Sequence, residues 1–197
     1  FDDFKASYKE QILALTEGGV DLLLIETIFD TLNAKAAILA AKEVGEETGR
    51  PLPIMLSVTI SDKAGRTLSG QTLGAFVTSV SHANPLTIGL NCSFGAADLK
   101  PYAKELGQIA PFYISVYPNA GLPNQLGEYD ETPEKMAAQM KEFIDEGLVN
   151  IVGGCCGTTP AHIAEYTRMV EHATPHRKAT PPPYMQLSGM ERLEVSP

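Results

Sequence analysis

Val149-Asn150-Ile151-Val152-Gly153-Gly154-Cys155-Cys156-Gly157-Thr158-Thr159-Pro160 holds a short apolar run, a glycine-rich turn with two adjacent thiols, and a helix start. Val149–Val152 reads as a buried strand, and Thr159-Pro160 as a cap followed by a first-turn proline. The same order of strand, polar turn and helix repeats upstream. Cys92 ends the apolar run Thr87-Ile88-Gly89-Leu90-Asn91 just as the paired cysteines end theirs, and a helix is expected over 98–109. Phe112–Val116 is another strand, then comes a long loop over 118–131 and a helix opened by Thr132-Pro133. Nearer the N-terminus the pattern predicts a helix over 3–17 ending near Gly18-Gly19, a strand over Asp21–Glu26, and a helix capped by Asp30 or Thr31 that runs to Gly45. A strand over Pro53–Thr59, a helix over 72–82 and a final helix over 160–171 complete the pattern.

The strands are nearly continuous in apolar residues rather than alternating, which favours a parallel sheet covered on both faces with helical crossovers. Five βα units at ~30 residues each are the spacing of a (β/α) barrel. Five strands do not close an eight-stranded cylinder, so the sheet is either open and doubly wound or lacks its first three units. No Gly-x-Gly-x-x-Gly follows any strand, and polar residues end several different strands. The expectation is therefore α/β: a (β/α)8 TIM barrel truncated to about five βα units. Residues 1–175 form this partial barrel. Residues 176–197, rich in proline at Pro181-Pro182-Pro183, read as a linker toward a missing following domain, because Leu187-Ser188-Gly189-Met190 has no obvious partner.

A formal net charge of -9 argues against a nucleic-acid partner, since such proteins concentrate Lys and Arg. No apolar run approaches the ~20 residues that span a bilayer, so no membrane partner is expected. Three cysteines, an odd number with two adjacent, do not suit a secreted disulfide framework. They point to a reducing cytoplasm. A Cys155–Cys156 disulfide falls outside the usual Cα separation. The absence of an initiator Met and the unpaired tail suggest a piece of a longer chain.

All three sulfurs lie at the carboxyl ends of strands, where parallel α/β folds collect ligands. Three thiolates converging there suit zinc. A structural zinc usually has four protein ligands in two short-spaced pairs, so three thiols with no fourth partner suggest a catalytic ion with an open position. Such an electron-rich centre is a poor Lewis acid for splitting water but can bind a further thiol in its deprotonated form, and alkyl transfer to that sulfur follows. Glu26 ends the first strand at the same rim, where it can bind a substrate ammonium group or serve the next helix N-terminus. Asn119 can be a turn residue, or can offer its amide to a metal or substrate. The four histidines, His82, His162, His172 and His176, have no ligand spacing and read as structural.

Four motifs now converge: Ile25-Glu26-Thr27 with Phe29-Asp30-Thr31, Gly89-Leu90-Asn91-Cys92, Pro118-Asn119-Ala120-Gly121-Leu122-Pro123-Asn124, and Gly153 through Pro160. Together they resemble the zinc-dependent homocysteine S-methyltransferase family over essentially the whole chain. The Pro-Asn-Ala-Gly loop, Gly127-Glu128-Tyr129-Asp130 and Leu187-Ser188-Gly189 look like its cobalamin-dependent branch, the methionine synthases. The resemblance implies zinc on Cys92, Cys155 and Cys156, with homocysteine sulfur in the fourth position and Asn119 a candidate occupant when substrate is absent. It implies that Glu26 contacts the amino acid end of homocysteine. It also implies methyl transfer from methylcobalamin, held on another domain of the full-length chain and recharged through a folate-binding domain, to give methionine. The first three barrel strands of the family are missing here, so this stretch alone is expected to have weak or no activity. The alternatives are a cobalamin-independent homocysteine S-methyltransferase using a small donor such as S-methylmethionine or betaine, and a non-catalytic scaffold with buried or structural cysteines.

Overall fold

The computed structural model describes residues 1–195. Five strands form one parallel sheet in sequential order: β1 (Leu23–Ile28), β2 (Ile54–Val58), β3 (Thr87–Gly95), β4 (Tyr113–Asn119) and β5 (Ile151–Val152). A doubly wound sheet must reverse its strand order at a switch point. No reversal occurs here, so the sheet is the arc of a barrel, with β1 and β5 at its edges. Helices α1 (Asp2–Glu17), α2 (Thr31–Thr48), α3 (Leu73–Val80), α4 (Ala96–Ile109), α5 (Pro133–Asp145) and α6 (Pro160–Val170) alternate with the strands.

Local chemistry sets the boundaries. Asp30 caps α2 by accepting from Asn33 N at 2.9 Å, and α2 runs past Gly45 to a left-handed Gly49. Thr72 and Thr132 cap α3 and α5 in the same way, accepting from Ala75 N and Lys135 N. Pro133 and Pro160 occupy first-turn positions, where no N–H is missed.

The sheet has two unlike faces. Parallel register aligns Leu56 with Ile88 and Ile114, and Val58 with Leu90 and Val116. All six are buried in the main core with Phe76, Leu106, Met140 and Phe143 from the helices. Residues one step away in each strand point to the opposite face. There the register aligns Ser57, Gly89 and Ser115, with Asn91 beside Tyr117. Contrary to the expectation of apolar cover on both faces, the concave side is small and polar. Ser115 lies so close over Gly89 that a Cβ there would sit 2.0 Å from the Ser115 carbonyl oxygen.

The stretch Leu187–Met190, which the sequence leaves without a partner, is paired. Strands β6 (Met185–Ser188) and β7 (Arg192–Val195) form an antiparallel hairpin. Ser188 Oγ donates to Ala75 O at 2.7 Å, Thr72 N donates to Met190 O at 3.0 Å, and Arg66 pairs with Glu191. The tail thus docks on α3 and the loop before it. Among the described residues no helix is long and apolar enough to cross a membrane.

Candidate metal and substrate site

The carboxyl ends of β3, β4 and β5 meet at the cysteines. Cys92 lies within β3, one residue beyond the end expected from the sequence. Cys92 and Ser93 are both left-handed, with φ of 60° and 63°, and the β3–β4 register breaks between Asn91 and Gly95. Left-handed backbone costs a non-glycine residue ~1–2 kcal/mol. Two such residues in succession persist only where the surroundings hold them, and here the kink turns Cys92 toward the paired cysteines.

The loop after β5 is fixed by β4. Gly153 N donates to Val116 O at 3.1 Å, Cys155 N to Pro118 O at 2.8 Å, and Ala120 N to Cys156 O at 2.9 Å. Asn119, 4% exposed, accepts from Cys156 N through Oδ1 at 3.1 Å. Gly153, Gly154 and Gly157 flank the paired cysteines, and glycine can supply left-handed backbone there. Only Gly157 needs it, at φ 78°. Gly153 serves close approach, since a Cβ would lie 2.7 Å from Cδ1 of Tyr117.

The three sulfurs come together, all within 4.8 Å of one another. Cys92 and Cys155, separated by 63 residues in sequence, are joined as a disulfide with Cα atoms 5.6 Å apart. Cys156 is free and exposed, its Sγ 3.6 Å from that of Cys92. Tetrahedral zinc with Zn–S of ~2.3 Å separates its sulfurs by ~3.8 Å; the Cys92–Cys156 separation of 3.6 Å matches this, whereas Cys92 and Cys155 must part as thiolates to reach it. Zinc loading therefore requires the pair reduced.

Glu26 is exposed on β1, one residue from Thr27, which has a φ of 55°. Its carboxylate bears on Tyr117: burial chiefly pushes that phenol up, and Glu26 adds to the rise. Tyr117 thus packs on Gly153 within electrostatic reach of Glu26, a neighbour the sequence does not reveal. Tyr129, from the long loop, lies near Cys156, and its interaction with that thiol foremost, then burial, raises its phenol. His162, buried as a structural residue should be, donates from Nε2 to Glu131 O at 2.8 Å while Nδ1 accepts from Thr159 N at 3.2 Å. It thereby ties the end of the long loop to α6.

Asn91 closes the apolar run before Cys92, and nothing in the sequence gives it a role. It is 1% exposed and its side chain joins three strand ends. Oδ1 accepts from Thr27 N at 3.0 Å and Ser57 Oγ at 2.7 Å. Nδ2 donates to Thr27 Oγ1 at 2.9 Å and faces Cys155 Sγ at 4.0 Å.

Residues 1–170 match the family model described as homocysteine S-methyltransferase. The fold is also similar to that of the homocysteine methyltransferase MmuM from Escherichia coli in its apo form. The two share 26% sequence identity with a TM-score of 0.60, over 85% of this chain and 56% of that one. The chain thus spans a little over half the length of that relative.

Proposed function

Because this chain belongs to the homocysteine S-methyltransferase family, we propose that its cysteine cluster activates the homocysteine thiol for methylation to methionine. The observation that carries this reading is the convergence of three sulfurs within 4.8 Å from two distant segments, at the strand ends. Cys92, Cys155 and Cys156 would hold Zn2+, which when bound supplies one open position and lowers the pKa of a thiol placed there.

The chain's own groups do the rest. Glu26, exposed at the concave rim, receives the ammonium group of homocysteine. Asn119 holds the Cys156 backbone through its amide oxygen and turns its amide nitrogen to the substrate. The small concave face of Ser57, Gly89 and Ser115 leaves room for the amino acid. In the reaction homocysteine gives up its thiol proton, a new S–CH3 bond forms and the donor's bond to methyl breaks.

Methylcobalamin, carried with a folate-binding domain elsewhere in the full-length chain, is the proposed donor. The loop over 118–131 supports this. Asn124 Oδ1 accepts from Leu126 N at 2.8 Å and Glu128 N at 3.0 Å, so the loop is ordered beside the cysteines. It presents Leu122 and Leu126 to solvent, the latter 84% exposed, an apolar rim better suited to a bulky donor than to a small polar one. A small donor such as S-methylmethionine or betaine is the second reading, favoured by the similarity to the homocysteine methyltransferase MmuM. On either reading residues 1–175 are the partial homocysteine-binding unit and 176–197 the connection onward, and the thiols work in the cytoplasm. Residues 1–197 alone turn over weakly or not at all, since β1 and β5 are open edges.

Single-turnover assays on the reduced, zinc-loaded full-length protein with each donor separate these cases. Methionine formed from methylcobalamin supports the reading. Methionine formed only from a small donor replaces the donor, and none from any donor leaves a non-catalytic scaffold.

A further inference from the structure

We propose that Asn91 is a positioning residue that donates a hydrogen bond to the Cys155 thiolate and couples the metal cluster to the Glu26–Thr27 turn; this rests on the zinc reading above. The orientation of its amide follows from its partners. The Thr27 backbone N–H can only donate, so the atom 3.0 Å from it is the amide oxygen. Ser57 Oγ, at 2.7 Å, takes the second acceptor site. The amide nitrogen then has two directions left, Thr27 Oγ1 at 2.9 Å and Cys155 Sγ at 4.0 Å, the outer limit for an N–H···S contact. At 1% exposure, no water competes for that donor.

Two consequences follow. Asn91 accounts for Thr27 holding φ 55°, since both its N–H and its hydroxyl are gripped by one buried amide. A donor on a thiolate also withdraws electron density from that sulfur. Cys155 then becomes a weaker nucleophile than a substrate thiolate bound beside it, so the methyl group goes to the substrate and not to the protein. Partners that orient metal ligands in this way typically change metal affinity 10–100-fold when removed.

The test compares Asn91→Ala and Asn91→Asp with Ser57→Ala in the reduced full-length protein. Ser57→Ala removes another bond of the same amide and controls for lost structure. Zinc affinity is measured by chelator competition, and Co2+ replaces zinc to report sulfur-to-metal charge transfer. A hydrogen bond lowers the energy of the sulfur electrons, so its loss moves that band to longer wavelength. We expect both Asn91 variants to bind zinc roughly 10–100-fold more weakly with the band red-shifted, and Ser57→Ala to keep the band of the unaltered protein. Asn91→Asp retains the shape and both acceptor contacts, so it decides the matter if the alanine variant does not fold. Folded Asn91 variants whose band and affinity match those of Ser57→Ala overturn the proposal. Failure of the unaltered protein to take up either metal is a different result, which overturns the zinc reading itself.

Discussion

Gly153→Ala tests whether the cysteine loop owes its position to close packing. A Cβ at 153 would lie 2.7 Å from Cδ1 and 3.1 Å from Cε1 of Tyr117, about 0.7 Å inside ordinary contact. The ring cannot swing away freely, because Tyr117 sits on β4, half-buried against the Gly153 backbone. Overpacking of this kind costs ~1–3 kcal/mol, a drop of roughly 2–12 °C in Tm for a chain of this size. The displaced loop would also strain the bonds from Gly153 N to Val116 O and from Cys155 N to Pro118 O, so zinc affinity should fall with stability. Urea unfolding of Gly153→Ala, Tyr117→Ala and the double variant closes a thermodynamic cycle. With the ring gone the added methyl has space, so the double variant should be more stable than the sum of the single effects implies, by ~1–2 kcal/mol. A single variant as stable as the parent, or strict additivity, would refute the packing argument.

His162→Ala removes the bond to Glu131 O and the cap at Thr159. The structure predicts a loss of ~1–3 kcal/mol in urea, and an unchanged midpoint would contradict it. Tyr166→Phe should be neutral or stabilising by up to about 1 kcal/mol, because the hydroxyl is buried with no partner among the described residues; a clear loss of stability speaks against that. Stability should also fall at both ends of a pH titration of Tm. Glu43 and Glu146 are held below their ordinary 4.5 by hydrogen bonds to Lys5 and Lys100 respectively, so their contribution is present above that pH and lost on acidification. Burial raises Tyr117 and Tyr166 above their ordinary 10.0, so their contribution is lost as pH rises past it, and Tyr166→Phe should soften the alkaline limb. A flat profile would count against these environments.

The barrel arc was legible because βα punctuation is local. Thr132-Pro133 and Thr159-Pro160 announce their helices, and aliphatic runs announce their strands. The three cysteines were legible as a cluster because each ends such a run. What the sequence could not carry was the inside of the arc. Strand parity sorts Ser57, Gly89 and Ser115 onto one face only when the register is known. Tyr117 reads as one more strand residue until Gly153 is seen against it. Asn91 looks like the last residue before a cysteine, and its four contacts depend on a φ reversal at Thr27 and another at Cys92 that no local pattern signals. The hairpin at Met185–Val195 stayed hidden because its partner surface, Thr72–Ala75 with Arg66, lies more than a hundred residues away.

Zinc-edge X-ray absorption on the reduced protein, before and after adding homocysteine, tests the account at its centre. One zinc bound by three sulfurs and one lighter atom, converting to four sulfurs with homocysteine and losing a sulfur in Cys92→Ser, is the predicted result. A protein that binds no zinc when reduced, or whose zinc shell is unchanged by homocysteine, contradicts it.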